Sequence, residues 1–193
     1  MARKTKIRSI RPKSPDAQRY HEEVFLPRIN SFRSKIESTP LAVLVWGPGE
    51  ADPLLYDQRV AIVNTLRETQ IDAEMSETLV SSRGNWSVSD HEFMQALASD
   101  LIVILCASPG SIAELAGFST YPEIASKMVV FLDQKHSKSY VANGPATTAA
   151  VFGTVFYYDA PDDLISGRLS DNVISVVRKH QLAAWYRGIK GDK

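Results

Sequence analysis

Leu41-Ala42-Val43-Leu44-Val45-Trp46 is an unbroken apolar run that stops at Gly47-Pro48-Gly49. Comparable runs follow at Leu101 to Leu105, Met128 to Leu132 and Thr154 to Tyr157, and Ile71 to Met75 reads as a short second strand. Short runs without polar alternation predict parallel strands covered on both faces. Helical spacing fills the intervals. Leu55, Ile62, Val63 and Leu66 share one face, and Val173, Val176, Val177 and Ala184 mark the inner face of a closing helix. Ser89-Asp90-His91-Glu92 has the form of a capping box and predicts a helix running to about Ala98. Residues 76 to 88 read as a loop. Ser108-Pro109-Gly110-Ser111 reads as a turn before a short helix, Ile112 to Ala116. The polar stretch Gln134 to Pro145 reads as a loop before a small helix. Upstream, Phe25, Ile29, Phe32 and Ile36 recur at helical spacing, with Asp16 as the expected N-cap and Pro27 as the site of a kink or restart.

Alternating strands and helices with apolar strands predict a doubly wound, mainly parallel five-stranded α/β sheet, of the Rossmann or flavodoxin-like kind. The expected division is a basic arm and helical extension over residues 1–40 and an α/β catalytic domain over 41–193. In such sheets ligands bind beyond the carboxyl ends of the strands, where the strand order reverses. Three segments therefore decide function: Gly47 to Glu50, Cys106 to Glu114, and Asp133 onward.

Composition narrows the picture. A chain of 193 residues with 44% hydrophobic content forms a core and is neither disordered nor fibrous. No apolar run reaches the ~18 residues of a membrane span, and the basic start lacks the apolar stretch of a secretory signal. The single cysteine, Cys106, excludes a disulfide framework and a multi-thiolate zinc site, so the expected setting is the cytoplasm. Zero net charge hides a polarity. The first forty residues hold ten basic against four acidic side chains, and the remainder twelve against eighteen. The first thirteen carry Arg3, Lys4, Lys6, Arg8, Arg11 and Lys13 with no acid. Such an arm reads as a solvated terminus or as a contact for nucleic acid or an acidic partner.

Candidate chemistry lies at the strand ends. Gly47 and Gly49 allow close backbone approach, without the pattern of a dinucleotide fingerprint or a P-loop lysine. Gly110 and Ser111 stand at a helix N-terminus within reach of a ribose hydroxyl or a phosphate, and Glu114 lies one turn on. A carboxylate beneath a bound sugar suits glycosyl chemistry, since it can attack C1′ or stabilise positive charge there. The competing reading is a capping box, Ser111-x-x-Glu114, with a purely structural carboxylate. Asp90 and Glu92 read either as assisting carboxylates or as helix caps, and His91 as a general base or an exposed polar residue. Cys106 reads as a small buried hydrophobe rather than a nucleophile, and His180 as an interface histidine. Trp46, Trp86, Tyr140 and Tyr158 are candidates to stack on a heterocycle, Trp86 foremost because its loop is polar. No set of residues has metal-ligand spacing.

The block Ser108-Pro109-Gly110-Ser111-Ile112-Ala113-Glu114-Leu115-Ala116-Gly117-Phe118-Ser119 resembles the signature of nucleoside 2-deoxyribosyltransferase-like proteins, and in particular the effector (toxin) proteins of bacterial retrons. Supporting matches are Asp100 before its apolar strand, Lys127 before a strand ending in Asp133, and Asn143-Gly144-Pro145. In order and spacing the resemblance covers residues 41 to 150. It departs in its N-terminal basic extension, and it shows no further C-terminal region with a winged-helix-like part.

The resemblance implies an N-glycosidase with Glu114 as catalytic carboxylate, with Ser108, Gly110 and Ser111 lining the sugar and phosphate site. Gly47 and Gly49 would flank it, Trp86 would stack, and Asp133 and Asn143 would contribute substrate contacts. In the retron branch it implies cleavage of the nicotinamide–ribose bond, with NAD as substrate and no cofactor. Nicotinamide leaves neutral from a cationic bond and needs no strong acid. Relatives acting on deoxynucleosides or their monophosphates define an alternative, in which an acid is expected. A non-catalytic nucleotide sensor and a nucleoprotein scaffold are further alternatives. The resemblance also implies a homo-oligomer, a reverse transcriptase–RNA complex as inhibitor, and no membrane partner.

Overall fold

The computed structural model describes residues 14–69, 71–79 and 86–191. The chain divides into two compact units, 1–38 and 39–193. The basic arm, residues 1–13, and Ser81 to Asn85 of the predicted loop lie outside the described residues.

The first unit is helical: α1 (Pro15–Tyr20), a π-helical turn (His21–Phe25) and α2 (Leu26–Glu37). Its N-cap is Ser14, which accepts a hydrogen bond from the Ala17 backbone, rather than the expected Asp16. Pro15 explains the shift. Proline is preorganised for the first helical position, so the residue before it becomes the cap and Asp16 falls in the first turn. Pro27 acts as expected, through a specific device. It has no N–H to offer the preceding turn, and the helix widens to π geometry just upstream.

The second unit is a five-stranded, all-parallel sheet: β1 (Ala42–Trp46), β2 (Asp72–Glu74), β3 (Leu101–Cys106), β4 (Met128–Asp133) and β5 (Thr154–Tyr158), in the order β2-β1-β3-β4-β5. Around it lie α3 (Pro53–Arg67), α4 (Ser76–Leu79), α5 (Val88–Ala98), α6 (Pro109–Phe118), α7 (Pro122–Ala125), α8 (Thr147–Ala149), α9 (Asp162–Ile165) and α10 (Arg168–Gly191). This is the predicted doubly wound α/β fold. Every residue of β3 and β4 is buried, because alternate side chains enter two separate cores. Leu101, Val103 and Leu105 pack with Ile62 and Leu66 of α3 and Val173 and Val177 of α10. Ile102, Ile104 and Cys106 pack on the other face with Ala96 of α5 and Leu115 and Phe118 of α6. That second face carries the candidate chemistry.

Strand order reverses between β1 and β3, so the loops after Trp46 and Cys106 open onto the switch point. Two residues matched by the family resemblance hold the opposite ends of these elements. Asp100 accepts a 2.8 Å hydrogen bond from the Ala42 backbone, fixing β1 against β3. Lys127 donates to the carbonyls of Leu97 and Ser99, both at 2.8 Å, and closes the C-terminus of α5.

The Gln134 to Pro145 stretch is more ordered than a loop. It holds a 3-10 turn (Gln134–His136) and a π-helical turn (Ala142–Ala146). Just before β5, a Cβ at Gly153 would lie 2.5 Å from the Ala125 carbonyl oxygen and 2.6 Å from that of Met128. Gly153→Ala is therefore expected to destabilise the fold by about 1–3 kcal/mol, read as a lower midpoint in urea.

Candidate active site

Two helix starts build the site, and both begin earlier than their sequences suggest. For α6 the N-cap is Ser108, with Pro109 at the first helical position. Ser108 Oγ accepts from the Ser111 backbone N–H, and Ser111 Oγ accepts from the Ser108 N–H, at 3.2 and 3.0 Å. The predicted turn Ser108 to Ser111 is thus the first turn of the helix, and the capping box closes between the two serines. For α5 the cap is Ser87, whose hydroxyl accepts from the Asp90 backbone, while Asp90 Oδ2 accepts from the Ser87 N–H at 3.0 Å. Neither the predicted box Ser89-x-x-Glu92 nor the box of the competing reading, Ser111-x-x-Glu114, forms.

The consequence is chemical. Neither Glu92 nor Glu114 is needed by a helix end. Both line a cavity of about 630 Å³ between α5 and α6, together with Asp90, Phe93, Gly110 and Tyr121. Its size is that of a small-molecule site. Of the described residues lining it, none is basic.

Electrostatics sort the carboxylates. Glu114 is partly buried, and its Oε2 is enclosed without a hydrogen-bond partner. Burial, reinforced by the charge of Glu92, raises its pKa to about 8. Arg59 pulls the other way and Glu77 adds to the rise. Burial and the charge of Glu77 also raise Glu92. Asp90 is held below its ordinary value by its hydrogen bonds from the Ser87 side chain and backbone, as a cap should be.

Arg59 organises the neighbouring loop. Its guanidinium is fully enclosed, donating to the carbonyls of Val45 (2.9 Å), Gly47 (3.1 Å) and Pro48 (2.8 Å) and to Glu77 (2.9 Å). It thereby pins the turn after β1. Gly47 is required there, since a Cβ would sit 2.9 Å from Arg59 Cδ and 3.1 Å from Leu105 Cβ. Burial opposes the charge of Glu77, but hydrogen bonding and attraction to Arg59 outweigh it and lower the Glu77 pKa.

The other predicted site residues divide. Gly110 lines the cavity. Ser108 and Ser111 are not among its lining residues and instead close the α6 cap on either side of Pro109 and Gly110; Ser111 is buried, and its hydroxyl also accepts from the Ala107 N–H. Gly49 is exposed, in the turn closed by its carbonyl accepting from the Asp52 N–H. Asp133 is buried, accepts from the Lys135 backbone and pairs with its ammonium at 2.7 Å. Asn143 donates to the Lys138 carbonyl. Neither Asp133 nor Asn143 is among the residues lining the cavity.

Trp86 is exposed immediately before the α5 cap. Trp46 and Tyr158 are core residues and Tyr140 is exposed, so the aromatic walls are instead Phe93 and Tyr121, in edge contact at 5.2 Å. Cys106 is buried, and burial together with the charge of Glu114 pushes its thiol up to about 11, which fits a packing residue. Half-buried His180 is lowered by burial and by Arg187.

Sequence reading missed Arg59, Glu77, Phe93 and Tyr121. One signal was present: Arg59 falls on the apolar face defined by Leu55, Ile62 and Leu66, where a charge needs buried partners.

The profile of the STM3845 retron effector protein family matches residues 57–184, about two thirds of the chain. The chain belongs to this retron effector family. The match includes Arg59, Glu92 and Glu114. A search of curated proteins finds no match. Among the described residues, no helix is long and apolar enough to cross a membrane, and no three His, Cys, Asp or Glu side chains are grouped to hold a metal ion.

Proposed function

We propose that this retron effector is an anti-phage defence N-glycosidase that cleaves the nicotinamide–ribose bond of NAD, with Glu114 as the catalytic carboxylate. The observation that carries the reading is Glu114 itself: released from the cap, facing the cavity, with an enclosed and unpartnered Oε2. The resemblance of the Ser108 to Ser119 block to deoxyribosyltransferase-like proteins supports the reaction class.

In this reaction the C1′–N bond breaks and its electron pair stays on the pyridinium nitrogen, so nicotinamide departs neutral. Positive charge develops at C1′ and the ring oxygen, and the Glu114 carboxylate stabilises it or forms a transient ester. Water supplies the new C1′–O bond and gives its proton to the carboxylate, which releases it to solvent. The leaving group needs no acid. The phosphates of NAD belong at the rim by Gly110 and the α6 N-terminus, because none of the described residues lining the cavity is basic.

A second reading has one observation in its favour. Glu92, raised by burial and lining the same cavity, is a carboxyl able to protonate a departing nucleobase. That arrangement would serve deoxynucleosides or their monophosphates.

The test is nicotinamide release from NAD by the purified chain, alone and with a reverse transcriptase–RNA partner, beside a panel of deoxynucleosides and deoxynucleoside monophosphates. Nicotinamide release is expected. Base release from the panel alone would establish the second reading, and saturable binding without turnover would leave a sensor. The reading includes a homo-oligomer held silent by that partner, with the basic arm as its contact. Oligomeric state and the salt dependence of partner binding test this part.

The pH profile is a sharper check. The reaction needs Glu114 ionised, and kcat/KM reports the free enzyme. With a pKa of about 8, most of the free enzyme is inactive at pH 6. We expect kcat/KM to rise about 100-fold from pH 6 to pH 9, levelling above 8. A plateau already complete at pH 6 would mean that the group that must ionise titrates well below 8, and loss of activity in Glu114→Gln then decides whether that group is Glu114.

A further inference from the structure

The cavity is asymmetric in charge. Asp90, Glu92 and Glu114 line it, and no described lining residue is basic. Arg59, the described cation whose charge reaches Glu114, is already engaged by three backbone carbonyls and Glu77, whose carboxylate it contacts through both oxygens at 2.9 Å. Asp90 is committed to the α5 cap, so Glu92 and Glu114 are the carboxyls left for a ligand. Phe93 and Tyr121 add aromatic walls, and the Phe93 ring also lies 6.3 Å from Phe118. Carboxylates and aromatic faces together are the surroundings that favour an organic cation.

We infer that Glu92 is a specificity-determining residue which, with Glu114 and the Phe93 and Tyr121 rings, forms an anionic cup selecting a positively charged heteroaromatic ring over its neutral counterpart. The inference rests on the N-glycosidase reading and deepens it, because it names what the cavity recognises before any bond breaks. In this role Glu92 selects the ring and is not itself a catalytic residue. Its charge attracts the cation, and the incoming cation in turn favours the ionised form of Glu114. A neutral ring offers neither gain and leaves two crowded carboxyls facing each other. The groups facing Glu114 electrostatically are Glu92 from α5, Glu77 from α4, Arg59 from α3 and Cys106 at the end of β3. Of these, Glu92 shares the cavity lining with it.

The probes are 1-methylnicotinamide, a permanent cation, and nicotinamide, its neutral relative. Neither has a glycosidic bond, so binding is measured without turnover. By calorimetry or competition at pH 8, the wild-type chain is expected to bind the cation about tenfold more tightly, the scale of one partly screened charge contact. Glu92→Gln is expected to cut that preference to threefold or less and to move the midpoint of the kcat/KM profile below 8. A merely structural role would do neither. Thermal unfolding confirms that the variant is folded.

Equal affinity for the two probes in the wild type overturns the inference without any variant. So does an undiminished preference in Glu92→Gln, or no measurable binding of either probe. A clear preference for the cation with release of neither nicotinamide from NAD nor a base from the deoxynucleoside panel would keep the cup and overturn the N-glycosidase reading, so the two failures are distinguishable.

Discussion

Glu114→Gln is expected to lower nicotinamide release from NAD by about 10³-fold or more while making the protein harder to unfold. The two effects share one cause. Glu114 lies in surroundings that disfavour its charge, through burial first and the charge of Glu92 second. Its pKa in the folded chain, about 8, stands above the ordinary 4.5. Between these values the folded state holds a proton that the unfolded state has lost. Stability therefore falls as pH rises through that window and levels off above 8. Gln carries no charge and escapes the penalty. Below pH 4.5 wild type and variant should unfold alike, because both side chains are neutral.

At pH 8 the variant should be more stable by roughly 1–3 kcal/mol, a figure held below the full linkage value because the cavity is open to water. The melting temperature should rise by about 2–4 °C per kcal/mol. Calorimetry at pH 5 and pH 8, beside the activity assay, reads both. Lost activity with no stabilisation at pH 8 would place the strain elsewhere. Unchanged activity would remove Glu114 from the chemistry. A site that holds an ill-accommodated carboxylate sacrifices stability for function, and the variant measures by how much.

Arg59→Met is expected to be the most damaging single change in the second unit, lowering stability by about 3–5 kcal/mol. Methionine fills much of the volume but offers no donor. The carbonyls of Val45, Gly47 and Pro48 would be left without that partner beneath the turn after β1. Glu77 would lose the charge that holds its carboxylate ionised. Adding Glu77→Gln should recover only a small part. Glu77 is about half exposed, and the unmet carbonyls remain.

Arg59→Lys keeps the charge but not the fork of donors, so it should fall between wild type and Arg59→Met. Urea unfolding of the four proteins orders them. Arg59→Met variants that still fold should also show the kcat/KM midpoint above 8, because Arg59 opposes the rise in Glu114. A wild-type midpoint in folded Arg59→Met would mean that Arg59 serves the turn alone.

Much of this molecule is legible in its sequence, and the reason is local. β1, β3 and β4 announce themselves because each is an apolar run ended by Gly, Ser-Pro or Asp, and a strand buried on both faces needs no partner's identity to be read. The five strands, their parallel order and the importance of the β1 and β3 ends follow from that pattern and the length of the connections. Glu114 stands out for the same reason, one turn into a helix that starts at a strand end.

What sequence could not decide is which of two overlapping capping boxes closes at each helix. Ser87 or Ser89, Ser108 or Ser111: each pair offers a serine with a polar residue three positions on. Propensity scarcely separates them. The choice falls to the packing that sets where each helix leaves the sheet, and at α6 to Pro109 as well. Moving the cap by two or three residues converts Glu92 and Glu114 from structural carboxylates into cavity walls. Arg59 lies on a face that the sequence marks as apolar, and its partners come from β1 and α4, far from it along the chain. Phe93 and Tyr121 meet only because α5 and the segment before α7 lie on one face of the sheet. Local pattern therefore determined the scaffold and the position of Glu114. Tertiary structure decided the carboxylate's neighbours, and so its charge, because burial and through-space electrostatics depend on contacts between residues remote in sequence.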